Sequence, residues 1–223
     1  MPNGLLEPFR PIENEGEMHL MCALVVDTSG SMSGSETELA RALQGVKMAI
    51  EEDRIACGRI ELCLITFDDS ARVVQPFGPM HMFEPPASIS PGGMTAMHQA
   101  IDMAMRMVEE RRMQYRNEGV DFRRPWIWLF ASSGSSDAEN GSFRRLRDWQ
   151  DARKCVFYGV GIGDALNAEE LRSLHKEHMM LRVDRDGIAA AFELLSACLT
   201  VATAHQRDRT VTMDLPPQIR VET

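Results

Sequence analysis

Four short, unbroken apolar runs dominate the chain: residues 21–26 (MCALVV), 62–65 (LCLI), 126–130 (WIWLF) and 155–158 (CVFY). Runs of this length without polar alternation suit strands buried on both faces, the kind that parallel sheets contain. A weaker run at 180–183 (MLRV) follows, and 71–74 (ARVV) reads as an edge strand after a tight turn at Asp68-Asp69. Between the runs the period changes to that of a helix. Leu39, Leu43, Val46 and Ile50 form one apolar stripe, and Met97, Ile101, Ala104, Met105 and Val108 form another. Asn167 with Glu170 three residues on predicts a capped helix start, and Ile188, Phe192, Leu195 and Leu199 predict the last helix. Strands alternating with helices predict an α/β three-layer domain with a mainly parallel central sheet, one antiparallel edge strand and helices on both faces. Right-handed crossovers then gather the strand C-termini along one edge, where ligands of such sheets bind.

The chain has 223 residues, which favours one domain with short extensions. The domain is expected at 18–203, between an N-terminal extension (1–17) and a C-terminal tail (204–223). Alternation at Thr210-Val211-Thr212-Met213 suggests a short strand in that tail. Lys plus Arg number 24 against 33 Asp plus Glu, a net charge of −9, which argues against nucleic acid as the main partner. No run approaching the roughly 18–20 apolar residues of a membrane span is apparent, and the first residues lack a secretory pattern. Five cysteines without a CxxC pair point to a reduced, cytoplasmic protein with no disulfide framework and no structural zinc.

The chemistry concentrates where the first strand ends, at Asp27-Thr28-Ser29-Gly30-Ser31-Met32-Ser33. A carboxylate and two hydroxyls at alternate positions converge when the backbone turns, and such hard oxygens suit Mg2+. The same residues also suit the capped start of the next helix, so both readings stand. Pro91-Gly92-Gly93-Met94-Thr95 is a glycine-rich turn that brings another hydroxyl, Thr95, towards the same edge.

The D-x-S-x-S pattern after an apolar strand, with a glycine-preceded threonine downstream, resembles the von Willebrand factor A domain and its metal-ion-dependent adhesion site. ITFDDSARVVQPF, FEPPASISPGGMTAMHQAI, VEERRMQYRNEGVDFRRPWIWLF and YGVGIGDALNAEELRSL further resemble the bacterial TerY/YegL group of such proteins. The resemblance runs over about residues 18–203. It implies a Rossmann-like sheet with Asp27, Ser29, Ser31 and Thr95 as Mg2+ ligands at its top. It also implies a partner protein whose Asp or Glu completes the metal shell, and a role in bacterial stress response or defence, including tellurite resistance. A PP2C-type phosphatase and a protein kinase are the partners it suggests first.

One position departs from that family's pattern. The strand 126–130 is normally followed by T-D-G, but here Ser133 stands where the second carboxylate belongs. The Mg2+ site is therefore expected to be weak, dependent on a partner's carboxylate, or absent. Asp137 is the nearest substitute, and Met32, Met94 and Ser135 are expected on a partner-binding rim. A metal-independent scaffold is the competing function. No paired acid and base, activated nucleophile or cofactor loop supports an enzyme such as a metal-assisted hydrolase.

Other signals carry less. Gly159-Val160-Gly161-Ile162-Gly163-Asp164 fails the dinucleotide spacing and reads as a turn glycine cluster. His175 and His178 lack a third ligand and suit a surface helix end. Arg111, Arg112, Arg116, Arg123 and Arg124 read as a solvated helix end and loop, or as a patch for an acidic partner.

Overall fold

The computed structural model describes residues 17–164, 166–204 and 215–223; the 210–213 alternation lies outside them. In chain order the elements are β1 (Leu20–Asp27), α1 (Glu36–Glu52), α2 (Arg54–Arg59), β2 (Ile60–Phe67), β3 (Ala71–Gln75) and α3 (Met97–Glu118). Then come β4 (Trp126–Ala131), α4 (Ser142–Asp151), β5 (Val156–Ile162), α5 (Ala168–Leu174), β6 (Met180–Val183), α6 (Ile188–Ala204) and β7 (Arg220–Glu222). They build a 7-stranded sheet in the order β3-β2-β1-β4-β5-β6-β7. Neighbours from β2 to β6 are parallel, while β3 and β7 pair antiparallel at the two edges. The three-layer α/β expectation holds. The second antiparallel strand, β7, adds an edge that the apolar runs did not announce.

Alternation along β1 divides the core into two layers. Leu20, Cys22, Leu24 and Val26 face the layer built with α1 and α6, whereas Met21, Ala23 and Val25 face the layer built with α3, α4 and α5. Every residue of β1 and of β2 is buried, as the unbroken apolar runs require. Asn167 caps α5 as predicted, accepting a hydrogen bond from the Glu170 amide at 3.2 Å. The stretch Arg185–Ala204 has a mean hydropathy of 1.7 and is long and apolar enough to cross a membrane by length and composition, contrary to the expectation that no run approaches that length. Half of it is buried, and α6 lies against α1 in the core.

The glycine cluster does more than turn the chain. Gly159 and Gly161 lie within β5, and only Gly163, at φ 72°, occupies a turn conformation that favours glycine. A Cβ on Gly161 would stand 2.1 Å from Leu166 Cδ2 and 2.9 Å from Met180 Cε. Gly161→Ala is therefore expected to lower stability by about 1–3 kcal/mol, because the neighbouring side chains must leave their rotamers. Chemical denaturation checks this; an unchanged midpoint would show that the contact yields freely.

The arginine stretch is not a solvated face. Arg111 and Glu61 are 4% and 2% exposed and form a two-pronged ion pair, Nε to Oε2 at 2.7 Å and Nη2 to Oε1 at 2.6 Å. Arg112 is buried against Glu109 (2.8 Å), and Arg123 is also buried. Of the five, only Arg116 is exposed. Burial has turned most of this stretch into structure, so an acidic-partner patch cannot be built from it.

Candidate functional site: the crest at the strand C-termini

Three loops meet at the C-terminal ends of β1 and β4. The first leaves β1 at Asp27 and makes one 3-10 turn, Gly30–Met32, before α1. The second, 91–96, leads into α3, and the third, 132–137, follows β4. Gly30 donates its amide to the Gly93 carbonyl (3.2 Å) and Gly92 to the Thr28 carbonyl (3.0 Å), which ties the first loop to the second. Gly93 has φ 70°, and a Cβ there would fall 2.6 Å from the Asp69 carboxylate, so glycine is required.

Asp27 is fully buried at the floor. Its Oδ1 accepts from the Ser29 amide at 2.8 Å; its Oδ2 accepts from the Ser132 amide at 2.9 Å and the Ser132 hydroxyl at 2.7 Å. An ionised carboxylate only accepts, so the Ser132 proton points at Asp27. Ser132 Oγ in turn meets Ser31 Oγ at 2.7 Å, and Ser31 Oγ meets Ser29 Oγ at 2.7 Å. Ser31 Oγ also lies 3.2 Å from Ser133 Oγ, and Ser133 and Thr95 share a bond of 2.8 Å. One carboxylate and five hydroxyls thus form a continuous network.

The structure brings Asp27, Ser29, Ser31, Thr95 and Ser133 together. Ser132 belongs with them and adds to the expected set; its signal in the sequence is its place between the end of β4 and Ser133. Asp137 is committed elsewhere: its oxygens accept from the His98 amide (3.1 Å) and the Gln99 amide (2.9 Å), satisfying the first turn of α3. That geometry stabilises the positive end of a helix. Ser135 is half-buried and bonds to Asp137 and to Glu170 of α5. Met94 is 60% exposed and stands on the rim. Met32 does not; it is 1% exposed and sits in the core with α1, because the 3-10 turn directs its side chain downward. His175 follows the C-terminus of α5, where burial holds its pKa below the usual imidazole value.

In kind, these donors fit Mg2+: all are hard oxygens at spacings of 2.7–3.2 Å. In charge they are poor, with a single carboxylate already accepting three hydrogen bonds. Among the described residues, no group of three or more His, Cys, Asp or Glu side chains is arranged to hold a metal.

Residues 22–122 match the family profile of the von Willebrand factor type A domain. No curated protein matches the chain in sequence. Among solved structures it is similar to proximal thread matrix protein 1 from the mussel byssus (15% identity, TM-score 0.56, covering 82% of this chain and 47% of that one). It is also similar to a von Willebrand factor type A protein from Catenulispora acidiphila (17%, TM-score 0.61, 82% and 43%). A third is the vWF domain of the type V pili tip protein Mfa5 from Porphyromonas gingivalis (9%, TM-score 0.61, 87% and 99%). The chain spans less than half the length of the first two. One structure of the mussel protein has a zinc-occupied MIDAS motif, the metal-ion-dependent adhesion site. Sheet order, crest loops and the matched stretch agree: the chain has the fold of a von Willebrand factor type A domain.

Proposed function

We propose that this domain docks a partner protein on its crest, over a weakened metal-ion-dependent adhesion site that holds Mg2+ loosely or only with the partner's Asp or Glu. The observation that carries this reading is the buried Asp27 ringed by the hydroxyls of Ser29, Ser31, Ser132, Ser133 and Thr95, beneath the exposed Met94. A partner carboxylate entering there restores the charge that Ser133 lacks. The domain acts by binding rather than by catalysis. Its resemblance to the TerY/YegL group supports a place in a bacterial stress-response or defence system, with a PP2C-type phosphatase and a protein kinase as the first partners to test. The five free cysteines support a reduced, cytoplasmic setting.

A metal-independent scaffold is the second reading, and one observation favours it: both Asp27 oxygens already accept from protein donors, the Ser29 amide and the Ser132 amide and hydroxyl. Affinity purification from native cells, in Mg2+ and in EDTA, with wild type and Asp27→Ala, separates the two. Partners lost in EDTA and with Asp27→Ala support metal-assisted docking. Retention under both conditions supports the scaffold.

A further inference from the structure

Three charged side chains from outside the crest each grip one of its loops. Asp69 accepts from the Met94 amide at 2.8 Å, and Glu170 accepts from the Ser135 amide at 2.9 Å. The loops these two hold are also bonded to each other, since Ser136 N donates to Thr95 O and Thr95 N donates to Ser136 Oγ, both at 2.8 Å. Arg185 acts on the first loop and in the opposite sense, through carbonyls. Its Nη2 donates to the Ser31 carbonyl, its Nη1 donates to the Ser33 carbonyl at 2.7 Å, and Ser35 Oγ lies 3.5 Å from Nη1.

The place of that grip matters. Ser31 is the hub of the hydroxyl network, touching Ser29, Ser132 and Ser133. Its loop is a single 3-10 turn with no side-chain cap at Ser29, and α1 begins after it with no side-chain cap at Ser35. The arginine comes from the turn between β6 and α6, 154 positions along the chain. Its side chain lies beside Gly163 and Gly34, both at positive φ (72° and 90°), where a Cβ would come within 3.8 and 4.0 Å of it.

We propose that Arg185 is the positioning residue of the crest: by spanning two turn carbonyls, its planar fork sets where the Ser31 hydroxyl stands relative to Asp27, Ser132 and Ser133. The fork is the essential property, because a lysine keeps the charge but offers only a point donor. Charge alone predicts the opposite effect on a cation. A guanidinium near a dication repels it, so its removal would tighten Mg2+ binding. Positioning predicts that removal loosens it.

The test uses Arg185→Lys and Arg185→Met with two readouts, only the second of which rests on the Mg2+ reading of the crest. In EDTA, amide hydrogen exchange by NMR should quicken at Ser33 and Ser35, which donate to Gly30 and Met32 carbonyls across the turn, while Thr95 and Ser136 stay unchanged. In a Ser133→Asp background, calorimetric titration with MgCl2 should show both variants binding about 10–100-fold more weakly. Unchanged exchange at Ser33 and Ser35 would overturn the proposal, whatever the metal does. So would an Arg185→Lys chain that matches its parent while Arg185→Met binds Mg2+ more tightly. If the Ser133→Asp parent itself takes no Mg2+, the metal reading fails and the exchange measurement alone decides Arg185.

Discussion

Ser133→Asp is expected to convert the crest into a firm Mg2+ site and to make the stability of the domain depend on Mg2+. A unit charge about 4 Å from a dication contributes roughly 8 kcal/mol of raw attraction at an effective dielectric of 20. Desolvation of the new carboxylate offsets much of this, but the sign is fixed by the network: Ser133 Oγ already stands 2.8 Å from Thr95 Oγ1 and 3.2 Å from Ser31 Oγ. Without Mg2+ the substitution should destabilise, since a second carboxylate then crowds Asp27. With Mg2+ at about a hundred times its dissociation constant, linkage returns about 2.7 kcal/mol. Thermal melts of both chains, with and without Mg2+, would reveal this as a Tm that rises with the metal in Ser133→Asp far more than in wild type. Equal responses would show that Ser133 does not face the cation.

Arg111→Met is expected to be the most damaging single change away from the crest. It leaves Glu61, 2% exposed near the start of β2, as a buried carboxylate without its two-pronged partner. Breaking such a pair costs about 3–5 kcal/mol, whereas replacing both members by apolar residues is often nearly neutral. In a chain of this size that corresponds to a fall in Tm of about 10 °C. The double variant Arg111→Met, Glu61→Met should recover much of the loss in urea denaturation. A single variant as stable as wild type would mean that water or another cation reaches Glu61.

The elements that were legible in sequence are those whose burial is written locally. β1, β2 and β4 each carry an unbroken apolar run because both faces are covered there, and α1 and α3 carry regular stripes because one face is. Helix α4 (SFRRLRDWQD) escaped notice because it buries only Ser142, Phe143, Leu146 and Gln150 among charges, too narrow a stripe for the pattern to show. The arginines misled for a different reason. Their neighbours in sequence are polar, and the residue that buries Arg111 is Glu61, 50 positions away. A single glutamate inside the run IELCLITF was the available clue, since a carboxylate there demands a partner. At the crest, Asp27, Ser29 and Ser31 could be read from one turn, Thr95 from the glycine-rich turn at 91–95, and Ser133 from family likeness. Met32 was misplaced because a turn's sequence does not say which way its third residue faces, and Arg185 was invisible because its grip spans 154 positions.

The crest has the oxygens of a metal site but one carboxylate too few. Calorimetric titration of Mg2+ into wild type and Ser133→Asp tests it most directly. Wild type should bind feebly and the substitution should bring a large gain in affinity, both abolished by Asp27→Ala. Micromolar binding by wild type that the added aspartate does not improve would contradict this.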